Sequence, residues 1–328
     1  ENEYVSILQN YISIFEYLIY FFSIIIVYYA FQLLSKNNYY LIKSSPTLIS
    51  IAGDSASGKT TLSKILEDFL GSKFVNQVEL DSFHKYERDN PIWKSKTHLN
   101  PKMNDLIKFK NTVLNLINGQ TQIVQNYNHL SGKFDSQKKK RIKDFLIIEG
   151  LHSLYFKDLN KRYDLKIFLD LEEEIKKETK LARDLDRGRT KTDIVKQINQ
   201  RKEDFIEFVL PQHRYSDVSI TTSSRGSENL TFNILLKTEY FFELHHLLEL
   251  IPGAIIKELN SDFKFTHFQL EVGKLKNYEI FSFLTNDISN LKSNDFNLEN
   301  YDDDNLTELT VKLSISLFLL NKKLENRL

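Results

Sequence analysis

The 328-residue chain has no cysteine. That excludes disulfides, zinc–thiolate centres and thiol redox switches, and it is compatible with a reducing compartment. It also lacks a net charge: 44 Lys and Arg balance 44 Asp and Glu. No global field therefore recruits nucleic acid or an anionic membrane. No internal repeat is visible, and Glu1 in place of methionine leaves open what precedes it. Glycine and proline are scarce, at ten and five residues, so a stretch that spends two glycines on six positions stands out. The length allows one large domain with additions, or two domains.

The first segment differs from the rest. Tyr17 to Leu34, "YLIYFFSIIIVYYAFQLL", carries no charge, and a bilayer-crossing helix needs roughly 20 apolar residues. Tyr and Phe crowd both ends, Lys36 and Lys43 follow, and Glu1, Glu3 and Glu16 precede. Residues 11–34 are therefore expected to anchor the chain in a membrane, with the C-terminal side in the cytoplasm. The other reading is an apolar helix packed on the body of the protein or in a dimer, the whole then being cytoplasmic.

After a connector ending at Pro46, apolar runs alternate with helical patterns. "TLISIAG", "FVNQVELD", "DFLIIEG", "DLKIFLD" and "DVSITT" read as strands; 61–70, 104–118, 172–187 and 192–209 read as helices. The fold class is α/β, a mainly parallel sheet flanked by helices. The polar break "SSRGSEN" at 223–229 suggests a boundary. Beyond it, three further strands and an amphipathic helix at 306–324 suggest a small α+β C-terminal extension. The expected organisation is thus 1–46, an N-terminal hydrophobic helix with its connector; 47–222, the α/β domain; and 223–328, the extension.

The glycine-bearing stretch is "GDSASGKTT", residues 53–61, directly behind the strand "TLISIAG". Gly53, Gly58, Lys59 and Thr60 complete G-x-x-x-x-G-K-[ST], the phosphate-loop pattern. Backbone N–H groups of Gly53, Asp54, Ser55, Ala56, Ser57 and Gly58 would close around phosphate oxygens. Lys59 would place a charge at the β/γ-phosphates of ATP, the Thr60 hydroxyl would hold Mg2+, and Thr61 opens a helix whose positive end faces the same anion. Asp81, in "ELDSFHKYER", follows the next strand. A carboxylate there can accept the proton of an attacking hydroxyl. His84 and Arg88, four apart, suit a phosphorylated or polyhydroxyl acceptor. Glu149 ends the buried run "DFLIIEG" and is a second acid able to position Mg2+.

From about Thr47 to Thr222 the chain resembles the phosphoribulokinase and uridine kinase family of phosphate-loop kinases. The resemblance is carried by "DSFHKYER", "YNHLSGKFD", "IIEGLHSLY" and "RKEDFIEFVLPQHRYSDVSI". It implies Asp81 as base, His84 and Arg88 as sugar-phosphate contacts, and Tyr127 and His129 near the acceptor. It also implies that "KLARDLDRGR" belongs to a lid over the nucleotide, with Arg183 acting on the transferring group, Lys180 and Arg187 as further contacts and Asp184 toward the metal. One residue fewer than in the family separates Arg183 from the Arg-Gly pair. Tyr127-Asn128-His129 stands where uridine kinases carry Tyr-Asp-Phe, which favours the sugar-phosphate branch. The loop itself reads more like that of uridine kinases, and Ser57 stands where plant phosphoribulokinases carry a regulatory cysteine.

The resemblance therefore implies an ATP- and Mg2+-dependent kinase acting on a small sugar phosphate, ribulose 5-phosphate by default. Uridine, cytidine or another small alcohol is the alternative acceptor. A membrane-anchored nucleotide-binding regulator without turnover is the alternative from another class. Homo-oligomerisation stays open. His245 and His246 are read as lying on different helix faces with no shared ligand set nearby, and so as no metal site. "QKKKR" at 137–141 is read as a solvated lead-in to a buried strand and not as a nucleic-acid patch. Trp93 is read as packing a substrate flap.

Overall fold

The structure, a computed structural model, describes residues 46–325 except 187, 189, 226–228, 238–240, 252, 263 and 274–302. The expected membrane segment at 11–34 lies outside the described residues. Among the described residues no helix is long and apolar enough to cross a membrane.

The elements run β1 (Thr47–Gly53), α1 (Lys59–Leu70), β2 (Val75–Glu79), α2 (Leu106–Ile117), β3 (Gln122–Asn128), β4 (Lys133–Lys140), β5 (Phe145–Gly150), α3 (Lys157–Asn160) and β6 (Leu165–Leu171). Then come α4 (Glu173–Asp186), α5 (Lys191–Asp204), β7 (Val218–Arg225), β8 (Asn229–Lys237), α6 (Phe241–Glu249), β9 (Ile255–Ser261), β10 (Phe265–Gly273) and α7 (Asp303–Glu325). One sheet takes the order β2-β5-β1-β6-β7-β8-β10-β9. It is parallel from β2 to β7 and antiparallel beyond.

The residue pattern explains the change of direction. β1 and β5 are buried at every position, as strands covered on both faces must be, and they read as unbroken apolar runs. β8 and β10 instead alternate buried and partly exposed residues, the period-2 pattern of strands covered more fully on one face. One apolar cluster gathers Ile49, Ile51, Leu62, Leu66, Phe232 and Leu313 on one side of the sheet. The other gathers Leu48, Val78, Phe109, Val113, Ile148 and Leu154. Burying each such side chain contributes about 2 kcal/mol.

Four expectations change. The strands after 222 join the same sheet, and β7 runs through the supposed break to Arg225. The helix expected to reach Val209 leaves α-geometry at Asp204; a π-turn (Phe205–Val209) and a 3-10 stretch (Leu210–Tyr215) follow, consistent with Pro211 lacking an N–H donor. Residues 137–141 begin inside β4, half of an exposed two-stranded ribbon with β3, so the basic run is solvated but is not a lead-in. Finally, α7 is not amphipathic between Thr307 and Leu317. Thr307, Glu308, Thr310, Lys312, Ser314 and Ser316 are as buried as the leucines. The two serines find partners within the helix, Ser314 Oγ donating to the Thr310 carbonyl (2.7 Å) and Ser316 Oγ to that of Lys312 (2.6 Å).

Gly53 ends β1 at φ +142° beside Leu169 of β6. A Cβ there would lie 1.9 Å from the Leu169 carbonyl oxygen, inside any permitted contact. Gly53→Ala is expected to lower folding stability by about 3 kcal/mol or more, through combined strain and steric overlap. An unchanged urea midpoint would contradict this close approach of β1 and β6.

Candidate active site

The carboxyl ends of β1, β2 and β5 open on one side of the sheet, where ligands of open α/β sheets bind. Between β1 and α1 the chain turns through Gly53–Gly58. Ala56 and Gly58 both take positive φ, +71° and +87°. Gly58 caps α1 without a side-chain acceptor, and the first turn holds no acid. The initial amides of α1 thus face outward as anion donors. The Asp54 carbonyl holds the loop's shape by accepting from Ser57 Oγ (2.8 Å) and Lys59 Nζ (2.5 Å).

Asp54 itself is buried, and its side chain gathers cations. Lys180 Nζ lies 3.0 Å, Lys176 Nζ 3.4 Å and Arg201 Nη2 3.6 Å from its carboxylate oxygens. Burial would raise its pKa, but Lys180, Arg201 and Lys176 outweigh burial and hold it well below the usual carboxylate range. Lys180 is pulled down to about 8 by burial and by Arg201, against the attraction of Asp54. α4 and α5, which carry these cations, are thereby tied to the phosphate loop. Arg183 adds to the tie, donating from Nη1 to Ser55 Oγ (2.9 Å) and from Nε to Asp184 (2.9 Å).

Across a cavity of about 250 Å³ from the loop stands Asp81, in the 3-10 turn Leu80–Phe83 after β2. His84 Nε2 and His129 Nε2 each lie 3.5 Å from one of its oxygens. Burial raises the Asp81 pKa, while His84, His129 and Lys59 lower it further, leaving the carboxylate ionised. His84 is oriented through its other nitrogen, 2.7 Å from Asn104 Oδ1; Asn104 Nδ2 in turn donates to the His98 and Asn100 carbonyls. Tyr127 meets His84 and His129 edge-on, at 5.1 and 5.4 Å between ring centroids.

Glu149, at the end of β5, closes the third side. Burial raises its pKa, Lys59 opposes, and the acid comes to about 7. Its Oε2 is buried and has no hydrogen-bond partner among the described residues, while the carboxylate also bonds Thr60. A buried orphan oxygen next to a hydroxyl is the donor set a hard divalent cation takes, so Mg2+ fits at Thr60 and Glu149.

The cavity therefore brings together Ser55, Ala56, Lys59, Thr60, Asp81, His84, Arg88, Tyr127, His129, Glu149 and Arg183. Gly53, Asp54, Ser57, Gly58 and Thr61 shape the loop without lining the cavity. Lys180 and Asp184 do not line it either: Lys180 is engaged by Asp54 and Asp184 by Arg183. Arg187 lies outside the described residues. Arg88 lines the cavity, but its guanidinium donates to the Leu130 (3.1 Å) and His129 (2.5 Å) carbonyls, pinning the β3–β4 turn over the site. Trp93, read as packing a substrate flap, also lines it, as do His98, Gln197 and Arg201, whose place sequence reasoning missed. For Arg201 a signal existed: it and Ile194 are seven apart and are the two buried residues of α5, a guanidinium on the inward face. His98 offered none. His245 and His246 both turn to Glu249, at 3.5 and 3.4 Å, so the expectation of no shared ligand is corrected. With Glu249 they form a potential metal-ligand group on α6, itself largely exposed.

Comparison with known proteins places the chain in a family. The family model described as "Phosphoribulokinase / Uridine kinase family" matches residues 48–230, over half of the chain. The chain is 36% identical over 174 residues to a phosphoribulokinase of Synechocystis, covering 53% of this chain and 52% of that one. It is 27% identical over 199 residues to a uridine kinase of Latilactobacillus sakei, covering 59% and 93%. The chain spans about half the length of the curated phosphoribulokinases it matches, 52% for Synechocystis and 48% for spinach. The solved phosphoribulokinase from Rhodobacter spheroides superposes with a TM-score of 0.54 at 15% identity, covering 69% of this chain and 90% of that one. That likeness is one of fold.

The raised acid of Glu149 sets a stability test. Its folded pKa, about 7, exceeds the ordinary 4.5, so the stability linked to its proton is full below the unfolded value and is lost as pH rises through 7. Glu149→Gln removes that loss. At pH 8 the variant is expected to exceed wild type by about 3 kcal/mol in urea unfolding, and the difference should shrink below pH ~5. Equal stabilities at pH 8 would contradict the assigned shift.

Proposed function

The chain belongs to the phosphoribulokinase / uridine kinase family, and on that premise we propose that it transfers the γ-phosphoryl group of ATP to a hydroxyl of a small sugar phosphate, ribulose 5-phosphate by default. One observation carries the reading: Lys59 and the loop lie across a single cavity from an ionised Asp81 flanked by two imidazoles. Such an arrangement holds a nucleotide's terminal phosphate on one side and an alcohol on the other. Asp81 orients the hydroxyl and takes its proton. Lys59 and the loop amides hold the phosphates, and Arg183 meets charge as it develops on the transferring group. Thr60 and Glu149 would hold Mg2+, which when bound neutralises charge on the β- and γ-oxygens. Arg88 acts first on the hairpin turn, fixing His129 above Asp81.

A nucleoside acceptor is the second reading, supported by the match to 93% of a uridine kinase's length and by the rings of Trp93 and Tyr127, which line the same cavity as Asp81.

ADP release would be followed against pentose phosphates, nucleosides and glycerate, in wild type and Asp81→Asn. The expected result is turnover with a pentose phosphate that falls about 10³-fold in the variant, with ATP affinity unchanged. Preference for uridine would select the second acceptor. ATP binding without any phosphorylated product would leave a nucleotide-binding protein that performs no transfer.

A further inference from the structure

Lys312 lies in α7, well beyond the family-matched segment, yet it touches the phosphate loop. Its side chain is 2% exposed, and Nζ donates to the Ser57 carbonyl at 3.0 Å, across 255 positions of sequence. The same ammonium pairs with Glu308, one turn earlier on α7. Glu308 also accepts from Thr222 Oγ1 of β7 at 2.9 Å. A Cβ added to Gly58 would sit 3.3 Å from Nζ, so the ammonium is packed directly behind the loop.

The covalent geometry of the peptide gives this contact a direction. In a trans peptide the C=O of one residue and the N–H of the next point opposite ways across one plane. A cation fastened to the Ser57 carbonyl from outside therefore turns the Gly58 N–H away from α7, into the loop. It also polarises that amide as a donor. Gly58 stands at φ +87°, where a glycine backbone has more freedom than any other residue, so an external fastening is what keeps the plane from turning. Glu308 and Thr222 hold the ammonium in place, because a buried lone charge is costly.

We infer that Lys312 is a positioning residue of the nucleotide site: α7, outside the family-matched segment, aims the Gly58 amide at the phosphate through Lys312. The inference rests on the nucleotide-binding reading above and adds a residue to it.

The test measures ADP binding by calorimetry and melting of the ligand-free full chain. Lys312→Met keeps the side-chain length and is expected to weaken ADP binding about tenfold, since a charge-assisted hydrogen bond is lost. It also strands Glu308, so its melting temperature should fall. The double variant Glu308→Gln with Lys312→Met removes both charges. It is expected to melt near wild type while ADP binding stays about tenfold weaker, the separation that a merely structural role would not produce. Lys312→Arg should recover most of the affinity. A double variant that binds ADP within twofold of wild type would overturn the inference while leaving the nucleotide site standing. Wild type that binds no ADP would overturn the underlying reading and this inference with it, and the failure would be visible before any variant is made.

Discussion

Cationic side chains from separate elements converge on a loop whose amides already point outward for an anion, and the buried carboxylate of Asp54 lies between them. Lys176 and Lys180 come from α4 and Arg201 from α5, all reaching Asp54. Packed around a buried loop without a counter-charge, they would repel one another in a medium that screens poorly. With Asp54 among them, both helices are bound to the loop before a phosphate arrives. The acid occupies a variable position of the G-x-x-x-x-G-K-[ST] pattern, where backbone amides would make the phosphate contacts.

From that constraint the rest of the site follows in order. The loop can turn sharply only because β1 ends at Gly53 against Leu169. Lys59 can fold onto the Asp54 carbonyl only because Gly58 takes a left-handed turn just before it. Asp81 then faces Lys59 because β2 and β1 flank β5 in one parallel sheet, which brings their carboxyl ends to the same edge. Arg88 stretches the arrangement over the top by its hold on the hairpin turn.

The portion legible in sequence was the portion written in local pattern. "TLISIAGDSASGKTTL" combines an unbroken apolar run, two glycines and a helical start, so strand, loop and helix follow from neighbours alone. Asp81 and Glu149 were legible as acids closing apolar runs. The β3–β4 ribbon was not, because β4 reads "KFDSQKKK" and is largely exposed, leaving no buried face to impose period two. The burial of α7 was hidden for the opposite reason: Ser314 and Ser316 satisfy themselves within the helix, so a buried surface looked polar. Lys312 was out of reach of any local rule. Arg88 shows a subtler limit, since spacing and resemblance placed it at the site but could not say that nearby carbonyls would claim its guanidinium.

Asp81 and Glu149 in the cavity wall and Asp54 behind the loop are sorted by their surroundings, and the sorting suits each to different work. Asp54 and Asp81 are held ionised by neighbouring cations and imidazoles, whereas Glu149 keeps its proton up to about 7 because it is buried with too little compensation. A cation arriving beside Thr60 would supply that compensation and displace the proton, so Glu149 suits a metal and is poorly suited to permanent ion pairing. Asp81 raises an apparent difficulty, for a carboxylate of low pKa is a weak base toward an alcohol. Under the phosphoryl transfer proposed above, the difficulty falls away. In a loose transition state the attacking oxygen has formed little of its new bond, and its proton becomes acidic only late. A strong base is not required; a carboxylate fixed in direction is. The two imidazoles at 3.5 Å and the Asn104 hydrogen bond behind one of them supply that fixity, which makes orientation, more than proton affinity, the property that this part of the structure is built to deliver.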